Sequence, residues 1–177
     1  MSGWSPRRVR ALSDAEIEQL ADVLIDCVDG GASVSFMHPL ARERAITYWR
    51  HVAGDVEAGE RALIVADDER GVCGTVQLVL AQPENQPHRA ELVKMLVHRR
   101  ARRRGLGAAL MRAVETAARE CGKTLLVLDT ANPEAERVYE RAGWVRVGVI
   151  PGYALLPHGG LCQTTLYYRN VGRTGVC

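Results

Sequence analysis

Aromatic residues make up only 5% of this chain, with a single phenylalanine, and of its 23 basic side chains only Lys94 and Lys123 are lysines. A nucleic-acid surface interleaves aromatics with its cations, so no nucleic-acid partner is expected. A formal net charge of +2 gives no field that would draw the whole molecule onto a polyanion or a membrane. Long apolar runs are missing too: none approaches the roughly 18–20 residues of a membrane span. Met1 to Ser13 carries arginines without the apolar stretch of a secretory leader, so a leader is not expected. The five cysteines, Cys27, Cys73, Cys121, Cys162 and Cys177, are odd in number and form no C-x-x-C pair. That argues against a disulfide framework or a structural zinc, and for small buried thiols in a reducing cytoplasm. His38, His51, His88, His98 and His158 show no i,i+4 pairing and no H-E-x-x-H, so no metal site is expected.

What remains is 177 residues, 47% of them hydrophobic, enough for one globular domain (1–177) with a substantial core. Arg7 to Leu12 reads as a short strand. Ser13 followed by Glu16 forms a capping box, and Ile17, Leu20, Ala21, Leu24 and Val28 follow at helical spacing until Gly30-Gly31. A second helix is predicted over Leu40 to Glu57, with Ile46 and Trp49 on its apolar side and Gly59 closing it. Arg61 to Ala66 is a short apolar strand. Val72 to Gln82 alternates, with Val72, Gly74, Val76, Leu78 and Leu80 on one face. Glu91 to Val97 reads as a strand, Arg104 to Cys121 as a helix, Thr124 to Asp129 as a buried strand, and Pro133 to Ala142 as a short helix. Val145 to Ile150 and Leu161 to Arg169 end the pattern as strands, joined by a Pro/Gly-rich loop, with a frayed tail expected from about residue 171. The fold class is mixed α/β, without repeats or linkers.

The most informative stretch is Val93 to Gly107, in which a strand ends, a basic glycine-bearing turn follows, and a long helix begins. A helix start leaves backbone N–H groups unpaired and directs partial positive charge outward; glycines let an oxyanion approach, and arginines add charge-assisted bonds. The segment is suited to a phosphate or pyrophosphate. Other phosphate motifs fit worse. The dinucleotide fingerprint needs a third glycine where Leu110 stands, and Gly122-Lys123-Thr124 imitates a P-loop by letters only, with Ala117 in place of its first glycine.

Arg102-x-x-Gly105-x-Gly107 resembles the R/Q-x-x-G-x-G/A motif of the GCN5-related N-acetyltransferases, the GNAT family. Asn132-x-x-Ala135-x-x-x-Tyr139-x-x-x-Gly143-Trp144 resembles that family's second cofactor segment, and the order of predicted elements matches from the first strand to the last. The resemblance implies a central, mostly antiparallel twisted sheet with a splayed parallel pair and helices on both faces. It implies acetyl-coenzyme A as cofactor, its pyrophosphate held by Arg102, Arg103, Arg104 and the Gly105-Leu106-Gly107-Ala108 turn. Met95, Leu96 and Val97 would pair with the pantetheine arm, with Asn132 and Tyr139 also at the cofactor. Gly30 to Met37 and Pro151 to Leu161 are similar to the acceptor-site segments of the tabtoxin-resistance subgroup, which implies a small-molecule acceptor, acetylated on an amine or a hydroxyl, such as a toxin, an antibiotic or an amino-acid-like metabolite. A protein acetyltransferase, or a non-catalytic acyl-CoA sensor, remains open on the same motifs. So does the choice between monomer and homodimer.

Acetyl transfer to an amine needs a proton acceptor for the ammonium, fixed donors for the carbonyl oxygen, and a proton for the departing thiolate. The resemblance sets the hydroxyl of Tyr139 near the cofactor sulfur as proton donor; as plain structure, it is a core tyrosine. Two carboxylates are candidates for the base. Glu91 opens the loop-bearing strand, and Asp129 closes the apolar run Leu125 to Leu128, where a carboxylate would be partly desolvated. Their plain readings are an exposed strand start and a turn-former, and a water chain is the third option. Tyr153 and His158 lie in the loop expected over the acceptor pocket, and Trp49 is expected in the core.

Overall fold

Ser13 and Glu16 do form the capping box: the Ser13 hydroxyl accepts the Glu16 N–H, and the Glu16 carboxylate accepts the Ser13 N–H at 3.0 Å. In the computed structural model, which describes residues 4–172, this start launches helix α1 (Asp14–Asp29) directly after strand β1 (Arg7–Val9). Helix α2 spans Arg42–Glu57, two residues shorter than its apolar spacing suggested, because Ala41 takes the extended conformation of an N-cap. Strands β2 (Arg61–Asp68), β3 (Gly71–Val79) and β4 (Arg89–Val97) follow as antiparallel neighbours. A turn of 3₁₀ helix at Arg99–Ala101 leads into α3 (Leu106–Glu120). Strand β5 (Leu125–Thr130), α4 (Pro133–Arg141), β6 (Val145–Leu155) and β7 (Leu161–Asn170) complete the chain.

The seven strands form one sheet in the order β1-β2-β3-β4-β5-β7-β6, antiparallel everywhere except between β4 and β5. β7 therefore inserts between β5 and β6. Side chains alternate across β2: Leu63 and Val65 join the core under α1 and α2, whereas Ala62, Ile64 and Ala66 join the core under α3 and α4. Both faces are covered, so β3 is buried from Val72 to Leu78 and not on one face alone. Thr75 and Gln77 are fully buried but satisfied: Thr75 Oγ1 donates to Ile64 O at 2.9 Å, and Gln77 Oε1 accepts from Arg61 at 2.7 Å. Gly74 is required by approach rather than by backbone angle, since a Cβ there would lie 2.8 Å from Leu106 Cδ2 and 3.3 Å from Leu110 Cδ1.

Several further sequence expectations shift at their edges: β1 stops at Val9 rather than Leu12, and β3 at Val79 rather than Gln82. α3 begins two residues later than Arg104 because Arg103 (φ 59°) and Gly105 (φ 79°) both take the left-handed conformation. The Pro/Gly-rich segment is mostly hairpin: Pro151 to Tyr153 form an irregularity inside β6, and only residues 156 to 160 connect it to β7. The frayed tail expected from about 171 is still anchored at Val171, which is buried and donates its N–H to Thr124 O at 2.9 Å; its remainder, 173 to 177 with Cys177, lies outside the described residues. Among the described residues no helix is long and apolar enough to cross a membrane, and no three metal-ligating side chains cluster.

Candidate active site

The basic turn after β4 is held from behind by acids. Asp26, in the last turn of α1 and only 8% exposed, accepts the Arg99 N–H at 2.8 Å and also the Arg99 guanidinium. Arg100 is clamped by Asp68 (2.8 Å) and by the Val72 carbonyl (2.8 Å), and the pairing holds the Asp68 carboxyl below its ordinary range. Arg102 donates Nε to Val97 O at 2.9 Å, with its Nη2 3.9 Å from Asp26. The arginines at 99, 100 and 102 therefore build the turn. Arg104 leaves it altogether: it lies over the Trp4 ring, 5.1 Å from the centroid, while its carbonyl accepts the indole N–H at 2.8 Å.

This scaffolding exposes the residues that follow. Among the described residues, no hydrogen-bond partner is found for the backbone N–H groups of residues 103 to 108 or for the Arg103 side chain. Unlike α1 and α4, which Ser13 and Asn132 cap, α3 starts without a capping side chain and without an acid in its first turn. Nothing in the protein crowds Gly107, where an added Cβ would meet only Val138 methyls at 3.9 Å. The bare backbone leaves a cradle for an anion at a dipole of the right sign.

β4 and β5 pair only from Arg89/Leu125 to Glu91/Val127 and then part. Opposite Val76, β4 carries a bulge in which Lys94 has φ 52°. Two cavities meet at the opening. The larger, about 1270 Å³, runs along Met95, Leu96 and Val97 to Arg102, Arg103, Gly105, Leu106, Gly107 and Ala108. The smaller, about 450 Å³, lies between the 32–37 loop, Lys94, Asp129, Tyr139 and the β6–β7 hairpin. Met95, Ala131, Asn132 and Ala135 line both.

A sequence profile of the Acetyltransferase (GNAT) family matches residues 25–144. An uncharacterized N-acetyltransferase from the hisH-hisA intergenic region of Azospirillum brasilense is 33% identical over 131 residues, 73% of this chain and 76% of that protein. The chain belongs to the GNAT acetyltransferase family. Solved structures share its fold. A GNAT phosphinothricin acetyltransferase from Sinorhizobium meliloti, in complex with acetyl-CoA, superposes with a TM-score of 0.76 at 19% identity, covering 97% of this chain and 90% of that one. The ribosomal-protein-alanine N-acetyltransferase of Brucella melitensis superposes at 0.79 with 18% identity, covering 94% and 99%. Acetyl-coenzyme A is the cofactor of the GNAT family, and the free amides of residues 103 to 108 fit its pyrophosphate.

Within this GNAT fold Tyr139 is 4% exposed, its ring set between Trp144 (5.8 Å) and Tyr167 (6.0 Å). Its hydroxyl has no protein partner among the described residues, and the residue lines the smaller cavity. Burial, with Asp129 nearby, raises its pKa, so the phenol stays protonated well above neutrality. Asp129 also lines that cavity and accepts Thr164 Oγ1 at 2.7 Å, but it is exposed, not desolvated as its place after an apolar run suggested. The strand simply ends in open space where β4 has moved away. Glu91 is half-buried where the parallel pair is still closed, and it lines neither cavity. Asn132 reaches both cavities, with its Oδ1 engaged as the α4 cap to the Glu134 N–H at 2.8 Å.

Tyr153 lines the smaller cavity, Trp49 is fully buried in the helix-pair core, and His158 is turned away, with Nε2 3.2 Å from Asp29 O. Two residues escaped the sequence reading. Asp26 had no local signal, because its partners are 73 positions away. Lys94 had one: a lone cation inside the apolar run Leu92 to Val97.

Proposed function

We propose that this chain moves the acetyl group of acetyl-coenzyme A to an amine of a small molecule. The observation that carries the reading is the junction of two unlike cavities at the gap between β4 and β5. One is amide-rich and basic; the other is smaller, of mixed polar and apolar lining, and includes Tyr139. Bound in the larger cleft, acetyl-coenzyme A supplies an acetyl thioester. Residues 103 to 108 offer their N–H groups to its pyrophosphate, with Arg103 adding charge and Arg102 keeping the turn in shape. The edge of β4 at Met95 to Val97, which β5 leaves uncovered and where Arg102 holds the Val97 carbonyl, is available to an amide-bearing arm, as an added strand would use it.

Tyr139 keeps a proton at its hydroxyl where a departing thiolate needs one. Asp129 takes the proton that the acceptor amine must lose, directly or through one water. Its position on the cavity wall supports it over Glu91. A cavity of about 450 Å³ suits a metabolite-sized acceptor. The likeness of Gly30 to Met37 and Pro151 to Leu161 to the tabtoxin-resistance subgroup points the same way, toward a toxin, antibiotic or amino-acid-like compound. The test follows free coenzyme A thiol across a panel of small amines and peptides. Acetylation of small amines is expected. Activity confined to polypeptide amines, or cofactor binding without thiol release for any acceptor, would overturn the reading.

A further inference from the structure

The chain's two lysines are in opposite situations. Lys123 is buried with its Nζ spent on the Leu80 and Pro87 carbonyls at 3.0 and 2.9 Å. Lys94 stands in the wall of the smaller cavity, and among the described residues its Nζ has one hydrogen-bond partner, Ser35 Oγ at 2.8 Å, and no salt bridge. The Tyr48 ring lies beneath it, 6.0 Å from the centroid. An ammonium has three donors, and this one spends a single donor on a neutral partner, leaving the other two to whatever occupies the cavity, water or ligand. Burial and the nearby Arg61 charge lower its pKa, against the opposing pull of Asp129 and Glu91.

The backbone makes a second case. Leu92 points into the core under α3, and strict alternation would send residue 94 the same way. The bulge redirects it toward Ser35 and Tyr48, at the expense of φ 52° in a residue with a Cβ. Bulges beside functional sites re-aim side chains in this manner, and strain retained at such a place points to use. Across the gap, on β5, Asp129 lines the same cavity and likewise makes no salt bridge among the described residues. The cavity thus carries one unpaired cation and one unpaired anion on the two strands that part.

We infer that Lys94, with Ser35, forms a carboxylate subsite, so that the acceptor is an amine that also bears a carboxylate, an amino acid in the broad sense. Its amine is then directed to Asp129 and the tail of the cavity takes its side chain. The inference rests on the acetyl-transfer reading above and narrows it. A purely structural Lys94, pinning the 32–37 loop, would affect all acceptors alike.

The experiment compares matched pairs, such as phenylalanine with phenethylamine and tyrosine with tyramine, by coenzyme A release. Calorimetry of each amino acid into the protein–coenzyme A complex runs in parallel. The wild-type enzyme should favour the carboxylate member by about 10- to 100-fold in kcat/KM, mainly through KM. Lys94→Gln, which retains a hydrogen-bonding group for Ser35, should bring that ratio close to one. The wild-type ratio stands alone if the variant does not fold. Acetylation of both members at equal efficiency, or an unchanged ratio in Lys94→Gln, overturns the carboxylate subsite and leaves the acetyl-transfer reading intact. Lys94-dependent binding of amino acids without acetylation supports the subsite and overturns the transfer. Neither binding nor acetylation overturns both.

Discussion

Removing the Asp26 carboxylate tests whether the turn proposed to hold the cofactor is itself held by a residue outside the cavity lining. Asp26 is 8% exposed and meets the Arg99 N–H, the Arg99 guanidinium, His98 Nε2 at 3.7 Å and Arg102 Nη2 at 3.9 Å. Breaking a buried ion pair costs about 3–5 kcal/mol, but the Arg99 side chain is 61% exposed and recovers water when released. We therefore expect about 2–3 kcal/mol for Asp26→Ala, most of it from the orphaned Arg99 N–H, since Arg102, like Arg99, keeps access to water. In a chain of this size that lowers Tm by about 5–10 °C. If about half the cost is re-paid on binding to order the turn, coenzyme A affinity falls roughly tenfold. Asp26→Asn, which retains an acceptor for the Arg99 N–H, should lie between. Differential scanning calorimetry and isothermal titration read the two effects. An Asp26→Ala protein with wild-type Tm and wild-type coenzyme A affinity would refute the claim that α1 positions the turn.

Tyr139→Phe should lower kcat by about 100-fold while coenzyme A affinity stays near wild type, as for a proton donor; equal loss in both would make it a packing residue. Gly74→Ala forces a Cβ against Leu106 and Leu110 and should cost about 1–3 kcal/mol by chemical denaturation, whereas no loss would mean α3 can shift freely. Asp68, held below the ordinary carboxylate range chiefly by its hydrogen bond from Arg100, contributes stability that is present above the unfolded-state carboxylate pKa and lost as pH falls through the lower folded one. Asp68→Asn should thus be less stable by about 1–2 kcal/mol at pH 7, and the gap should close as acid protonates Asp68 in the folded state; a gap that persists in acid would falsify the assignment.

Local chemistry made much of this molecule readable in advance. The Ser13–Glu16 box, the glycine-stopped α1, the strand–turn–helix from Val93 to Gly107 and the Asn132-to-Tyr139 segment each involve neighbours within a few residues. Short-range rules about caps, turns and periodicity govern such neighbours directly. The family motifs lie in these same stretches, so much of the lining of the larger cavity was legible as well. The acceptor end was less so. Asp129 looked desolvated because the residues before it are apolar, yet its exposure is decided by where β4 departs from β5.

Tertiary structure alone decided the rest. Which arginines face a ligand depends on Asp26 and Asp68, brought to the turn from α1 and β2, which tie Arg99 and Arg100 into the scaffold of the turn. Trp4 withdraws Arg104 in the same way. The insertion of β7 between β5 and β6 shapes the far wall of the smaller cavity, and a one-residue bulge against Val76 turns Lys94 out of the core and into that cavity. Hydrophobic periodicity specifies which elements form because it is a property of neighbouring residues. Charge partners, strand insertion and bulge register are properties of segments distant in sequence, and they exist only once the chain has closed around them.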